Sequence, residues 1–377
     1  MMTDLTALWR FNRPKLATQL ADRAKAKERI ALFGPRQTGK TSLLREEVMP
    51  LLEKQGAYPV YVECWADKTD PLGSINYSLQ KALDNLLVEP AGITRRLKTP
   101  VKKIGMAGAS VEFGDDVARR IPASKYLQVD AILTRILEET KKTLVLIFDE
   151  FQAVATGPDA DASSAALRAA LTQASKRVGV IFSGSSEVML LEAFARSKAP
   201  LYGFANPEPY PLLGEDFVAH VGRQFKKATS RELDVVKAMN AFIQLGHQPE
   251  PFLNAVANTM ANPKWSIEQG LDSMLDPNVR NKWTVNWFSL TDLQRAMLRI
   301  VFDGKQPTSA ETVGVVAAQL GDKRMQPSSL IRAVDALVSK GLVEAEITGQ
   351  GRRYVLSDPV MVAWLTRNKL LAARSSS

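Results

Sequence analysis

The rhythm of apolar and polar positions changes along the chain. Between residues 29 and 213, short apolar runs alternate with amphipathic stretches. Runs at 29–33, 58–65, 144–148 and 178–182 have the length of buried strands, and the residues between them repeat apolar side chains every three or four positions. An unbroken apolar run, as opposed to an alternating one, suits a strand covered on both faces in a parallel sheet. Leu16, Leu20 and Ala24 are spaced for a short helix before the first strand. Asp70 and Pro71 predict a helix running to about Val88, with Asp70 as cap and Pro71 in the first turn. Further helices are predicted over 124–141 and 160–177. Residues 206–213 carry three prolines, which confines a strand there to the sheet edge. Residues 90–122, rich in Lys, Arg and Gly, interrupt the alternation and read as an exposed hairpin-like insertion.

After residue 214 the strand signal disappears. Phe217, His220, Val221 and Phe225 share one helical face, and prolines at 249, 263 and 277 punctuate further helices. His220 reads as a core or partner histidine. Residues 284–377 change again, with helices predicted over 290–301, 310–320 and 330–340. Two alternating strands over 342–348 and 352–356 then flank Gly349-Gln350-Gly351, a hairpin turn. Three helices and a hairpin outline a winged helix. The expected organisation is a nucleotide-binding domain over 1–214, a helical lid over 215–283 and a winged-helix domain over 284–377.

Composition narrows the chemistry. A chain of 377 residues holds more than one domain, and 45% hydrophobic with 24% charged residues is ordinary for globular protein. One cysteine, Cys64, forms no internal disulfide, and two histidines without a Cys/His cluster argue against zinc. The first residues lack the pattern of a signal peptide, and no apolar run approaches the ~20 residues of a membrane helix, so a cytoplasmic protein without membrane contact is expected. The net charge of +9 permits contact with a polyanion.

The most specific signal is Gly34-Pro35-Arg36-Gln37-Thr38-Gly39-Lys40-Thr41, which fits the P-loop pattern G-x-x-x-x-G-K-[ST]. A strand-like run precedes it and a helical stretch follows it from Ser42, which is the context the pattern requires. The glycines let the backbone curl, and the curled N–H groups with the new helix's N-terminus make a nest for the phosphates of a nucleotide. Residues 34–42 are the expected nucleotide contacts, with Lys40 supplying charge and the Thr41 hydroxyl a ligand for Mg²⁺. Leu144-Val145-Leu146-Ile147-Phe148 then ends in Asp149-Glu150, a Walker B pattern. Carboxylates at the C-terminal end of a strand stand where α/β sheets bind ligands. Asp149 is expected to hold Mg²⁺, directly or through water, and Glu150 to polarise the attacking water. Ser183-Gly184-Ser185-Ser186 ends the next strand. A hydroxyl there, Ser183 first, could sense the γ-phosphate, while Ser185 or Ser186 could cap the following helix.

These residues resemble the archaeal-type ATPases, a group of P-loop NTPases related to the AAA+ and STAND proteins. The P-loop is similar to the group's Gly-Pro-Arg-x-x-Gly-Lys-Thr, and Asp149-Glu150-Phe151-Gln152 to its Asp-Glu-φ-Gln, where φ is apolar. Phe182-Ser-Gly-Ser-Ser, Pro200-Leu-Tyr-Gly203, Gly246-His-Gln-Pro249 and Tyr354-Val-Leu-Ser-Asp-Pro359 resemble further motifs in the same order. The resemblance spans nearly the whole chain. It implies an α/β fold, an αβα sandwich around a parallel sheet followed by a helical lid and a winged helix, with ATP as ligand. In this group an arginine usually follows Pro-Leu-Tyr-Gly. Here the position is Phe204, so Arg196 or Arg36 is left to act on the γ-phosphate, or an arginine from a second copy.

The expected function is Mg²⁺-dependent ATP hydrolysis coupled to movement of the lid and winged helix. The alternative is a nucleotide-gated switch with little or no turnover, whose winged helix contacts DNA or a protein partner. Residues 284–377 hold twelve Lys or Arg against eight Asp or Glu. Arg352 and Arg353 sit at the wing, and Ser328, Ser329 and Arg332 open the third helix. DNA contact through one face carrying Arg332, Arg352 and Arg353 is one expectation, and packing of that face inside the protein is the other.

Overall fold

The computed structural model describes residues 9–67, 69–88, 121–157, 159–276, 282–322, 324–348 and 351–370. Nearly all of the insertion expected over 90–122, and the turn at Gly349-Gln350, lie outside them. The chain divides into two compact units, one of residues 12–36 and 40–210, the other of residues 1–11, 37–39 and 211–377.

The first unit opens with α1 (Pro14–Lys25), whose proline occupies the first turn and whose Ala17, Leu20, Ala21 and Ala24 form one buried stripe. β1 (Arg29–Phe33) follows, then the P-loop, then α2 (residues 40–54). In the middle of α2, over Leu43–Val48, the turns widen, and the Met49 N–H reaches back five residues to Leu44 O. The widening precedes Pro50, which has no N–H to donate and whose ring would crowd a regular turn. β2 (Tyr58–Glu63), α3 (Pro71–Val88), α4 (Lys125–Glu139) and β3 (Leu144–Asp149) come next. α5 (Gln152–Thr156), α6 (Ala160–Gln173), β4 (Val178–Gly184), α7 (Glu187–Ala195) and β5 (Asn206–Pro209) complete the unit.

The five strands form one parallel sheet in the order β2-β3-β4-β1-β5. Every residue of β3 and β4 is buried, as their unbroken apolar runs required. Alternation sends Val145 and Ile147 to the face covered by α1 and α2, while Leu146 and Phe148 face the remaining helices. On that second face Phe148, Phe151, Phe182 and Phe194 stack, with ring centroids 4.5 to 6.0 Å apart. Each such pair adds ~0.5–1.5 kcal/mol beyond its burial and stiffens the strand ends that carry the candidate chemistry. This is the αβα sandwich of the P-loop NTPases.

In the second unit α8 (Glu215–Thr229), α9 (Val235–Gln244), α10 (Pro249–Ala261) and α11 (Ile267–Leu275) are followed by α12 (Lys282–Phe288). Then come α13 (Asp292–Phe302), α14 (Ala310–Leu320) and α15 (Pro327–Ser339), the antiparallel hairpin β6 (Val343–Thr348) and β7 (Gly351–Leu356), and α16 (Pro359–Arg367). The three helices and hairpin stand in the order expected from residue 284 onward. α16 was not anticipated, although Asp358 caps it and Val360, Met361, Trp364 and Leu365 are spaced as its buried face. One apolar cluster runs from Leu213 through Phe252 and Trp287 to Leu365. Positions 352 and 353 are consecutive in β7 and so belong to opposite faces of the hairpin.

Candidate nucleotide site

The P-loop begins where β1 ends. Gly34 donates its N–H to Gly184 O at 3.2 Å, tying the loop to the end of β4. Gln37 and Gly39 have φ of 60° and 93°, both left-handed, and at 93° only glycine is unstrained. Left-handed residues set among right-handed ones turn successive N–H groups toward a common side, which is the form of an anion nest. Pro35, Arg36, Gln37, Thr41 and Ser42 are exposed, while Gly34 and Thr38 are buried and Gly39 half-buried.

Lys40 is 5% exposed. Its ammonium donates to Gly34 O at 2.6 Å and Pro35 O at 2.7 Å, which uses two of its three N–H donors. Burial pushes its pKa down, the nearby Glu150 and Asp149 push it up, and Arg36 adds to the lowering. The lysine thus holds the loop closed on itself and brings a buried cation to the foot of the nest.

β3 delivers the two carboxylates. Asp149, 4% exposed, accepts three hydrogen bonds. Tyr61 O–H reaches Oδ2 at 2.5 Å, Thr41 O–H reaches the same oxygen at 2.7 Å, and Glu150 N–H reaches Oδ1 at 3.1 Å. The Thr41 proton is committed to the carboxylate, so its oxygen lone pairs are turned elsewhere. A hydroxyl and a carboxylate are hard oxygen donors of the kind Mg²⁺ takes, so the pair fits that ion. Burial raises the Tyr61 pKa strongly, and Asp149 beside it raises it further, which keeps the phenol a donor.

Glu150 departs from the strand with φ of 52°, a left-handed conformation costing a non-glycine residue ~1–3 kcal/mol. Its Oε2 accepts from Ser185 Oγ at 2.9 Å and from Gln152 Nε2. Gln152 Nε2 also donates to Ser185 Oγ at 2.9 Å, and Arg36 Nε reaches that hydroxyl at 3.4 Å. The Arg36 guanidinium lies 5.1 Å from the Trp65 ring centroid. The strand-end hydroxyls thus divide. Ser186 caps α7 by accepting from Met189 N–H, and Ser185 touches the carboxylate. Ser183 is fully buried and its hydroxyl has no hydrogen-bond partner; it follows Phe182, which pairs with Phe148, and so stands beside Asp149 at the ends of the two strands.

Phe204 packs in the core, its ring centroid 6.4 Å from that of Phe182. It precedes β5, which begins opposite Ile30 of β1. It is buried, with the Arg29 guanidinium 3.9 Å and the Arg168 guanidinium 5.6 Å from its ring centroid. An arginine at 204 would be the third cation there. Arg196 follows the last turn of α7, about 13 Å along the helix from its cap at Ser186. Of the arginines considered within the chain, only Arg36 is brought to the carboxylates.

Sequence reasoning missed Tyr61 altogether and had Gln152 only as a letter of a motif. Tyr61 is placed by strand register, Tyr61 opposite Ile147, which no spacing within β2 reveals.

Residues 14–182 match the AAA ATPase domain family. The chain is similar to that family over this stretch. The match spans α1 to β4 and so takes in the loop, both carboxylates and Tyr61. A Walker-type ATPase of Pyrococcus abyssi is similar in fold over nearly the whole chain, with 13% identity, a TM-score of 0.55 and coverage of 95% of this chain and 96% of that one. The ORC2 protein of Aeropyrum pernix, solved as ADPNP-ADP complexes, gives 15% identity, a TM-score of 0.46 and coverage of 96% and 94%. The ORC1 protein of the same organism, solved with DNA, gives 13%, 0.47, 96% and 94%. No curated protein sequence matches the chain. Among the described residues, no helix is long and apolar enough to cross a membrane. The P-loop and the two carboxylates lie at the C-terminal end of one parallel sheet.

Proposed function

We propose that the chain is a Mg²⁺-dependent ATPase that couples ATP binding and hydrolysis to a change in the arrangement of its lid and winged helix. The convergence of Lys40, Thr41, Asp149 and Glu150 at the C-terminal edge of one parallel sheet carries this reading. The nest over 34–39 and Lys40 bind the phosphates. Asp149 orients Thr41. Thr41 and Asp149 would hold Mg²⁺, which when bound would neutralise phosphate charge. Glu150 orients the attacking water and accepts its proton on a carboxylate oxygen. Arg36 offers positive charge beside Ser185. The three-part organisation over 1–214, 215–283 and 284–377 belongs to the same proposal.

The coupling has a local physical basis. Tyr210 ends the first unit, and its N–H donates to Phe33 O, the residue before the P-loop, at 2.7 Å. A side chain on Gly34 would meet Tyr210 Cβ at 3.1 Å. A shift of the loop on binding phosphate is thereby felt where the chain leaves for the lid, which is how nucleotide switches move distant elements.

The second reading is a switch that turns over slowly. It is favoured by Glu150, whose Oε2 already accepts two donors, Ser185 and Gln152. Turnover of ATP by the full chain, with and without DNA, separates the two. Glu150→Gln is expected to keep ATP affinity and lose most hydrolysis, since the amide keeps the shape without the basicity. Equal turnover in this variant and the wild type would remove Glu150 from the mechanism.

A further inference from the structure

Asp149 is gripped most closely by a residue that the proposed chemistry does not use. Tyr61 sits in β2, directly opposite Ile147 of β3. Asp149 is two positions beyond Ile147 and so on the same face, toward α2. The diagonal between the strands is within reach of a phenol, and the hydroxyl closes it at 2.5 Å. The ring packs with the cluster that holds Val145 and Ile147. The Arg45 guanidinium lies 4.9 Å from the Tyr61 ring centroid. Arg45 is one turn after Thr41 on α2, so Tyr61 joins the helix carrying Thr41 to the strand carrying Asp149.

Packing alone does not require the hydroxyl. Phenylalanine would fill the same apolar place and receive the same guanidinium. The hydroxyl matters because Tyr61 and Thr41 converge on one oxygen, Oδ2, and a carboxylate oxygen has two lone-pair sites. With Glu150 N–H on Oδ1, the carboxylate cannot turn without breaking a hydrogen bond. Its rotation in turn sets where the Thr41 proton points, and therefore where the Thr41 lone pairs point.

We propose that Tyr61 is a positioning residue for the cation corner of the site, fixing the Asp149 carboxylate and, through it, the Thr41 hydroxyl. This rests on the reading of Thr41 and Asp149 as the Mg²⁺-binding pair. Partners of that kind, one step outside the metal's own ligands, are commonly worth ~10–100-fold in metal affinity.

The test is Tyr61→Phe in the full chain. A fluorescent ATP analogue is titrated in Mg²⁺ and in EDTA, and Mg²⁺ is titrated at fixed nucleotide. The expected result is a 10–100-fold weaker apparent Mg²⁺ affinity, with EDTA affinity for the nucleotide within about twofold of wild type. The ratio of nucleotide affinities in Mg²⁺ and EDTA is the deciding quantity, because a reduced folded fraction lowers both alike. An unchanged ratio would make Tyr61 a packing residue and overturn the proposal. If the wild type itself binds nucleotide without regard to Mg²⁺, the Thr41–Asp149 reading falls and takes the Tyr61 role with it. If the wild type binds no nucleotide at all, the P-loop reading fails first.

Discussion

A buried lysine whose partners are the carbonyls of its own loop is poorly compensated. Two carbonyl dipoles do not neutralise an ammonium, and the depressed pKa of Lys40 records that shortfall. An anion in the nest would supply what is missing. Lys40→Ala is therefore expected to abolish nucleotide binding; in the nucleotide-free protein the lost bonds to Gly34 O and Pro35 O, ~1–3 kcal/mol, are opposed by relief of the lysine's desolvation, so the fold should survive. Thermal melts with and without ATP check this: the wild type should be stabilised by ATP and the variant should not. A variant still stabilised to the same degree would separate Lys40 from the ligand. At this scale the sequence was legible wherever chemistry dictates residue type. Gly39, Lys40, Thr41, Asp149 and Glu150 were readable as letters. It was not legible wherever tertiary placement decides. Ser183 and Ser185 carry the same hydroxyl two residues apart, and only the turn after β4 shows that Ser185 meets Glu150. Phe204, read only as the place of a missing arginine, also packs between the Arg29 and Arg168 guanidinium groups, which no spacing in the sequence displays.

Elements bring these residues together through close approaches that the sequence only partly displays. Gly179 in β4 is an example. A Cβ there would lie 1.7 Å from Ala24 O, the main chain at the end of α1. No rotamer change relieves a clash with backbone, so α1 or β4 must move. Gly179→Ala is expected to destabilise the chain by about 3 kcal/mol or more, at or beyond the usual range for overpacking. Urea unfolding measures it, and a loss under about 1 kcal/mol would mean that α1 is less firmly seated on the sheet than its contacts imply. In α8, His220 was expected to be a core or partner histidine. It lies with its ring centroid 5.4 Å from that of Phe11, and its buried Nε2 has no hydrogen-bond partner. Burial lowers its pKa below 6.5, with Arg223 adding to the shift. In the window beneath 6.5 the unfolded chain takes up the proton more readily than the folded one. The stability tied to this group is thus complete above that value and is lost as the pH falls. His220→Phe should flatten part of that loss. The difference in melting temperature between variant and wild type should grow in the variant's favour from about pH 7 to about pH 5. A difference independent of pH would assign the histidine a packing role alone.

On the scale of the whole molecule the open matter is output, and the continuity of the apolar core bears on how to measure it. The net of +4 over residues 284–377 makes a polyanion a reasonable partner for the proposed winged helix. The natural test piece, residues 284–377 alone, would be cut through the cluster that runs from Leu213 to Leu365. It would also lose the bond from Trp283 Nε1 to Asp358 at 3.0 Å and that from Asn368 Nδ2 to Leu275 O at 3.1 Å. DNA affinity is better measured on the full chain, over a range of salt, with ATP present and absent. Arg332 and Arg353 are both exposed. If a DNA backbone lies against either, replacing that arginine with alanine should make the dependence of log affinity on log salt shallower by about one unit per lost phosphate contact. The loss should be similar for unrelated DNA sequences, because phosphate contacts position without specifying. Positions 352 and 353 fall on opposite faces of the hairpin, so Arg352→Ala and Arg353→Ala should not behave alike: one changes the slope, the other leaves it. Equal effects from both would point to general charge attraction by a basic chain, not to a docked wing. No binding at low salt, with or without ATP, would turn the output toward a protein partner or a second copy of this chain.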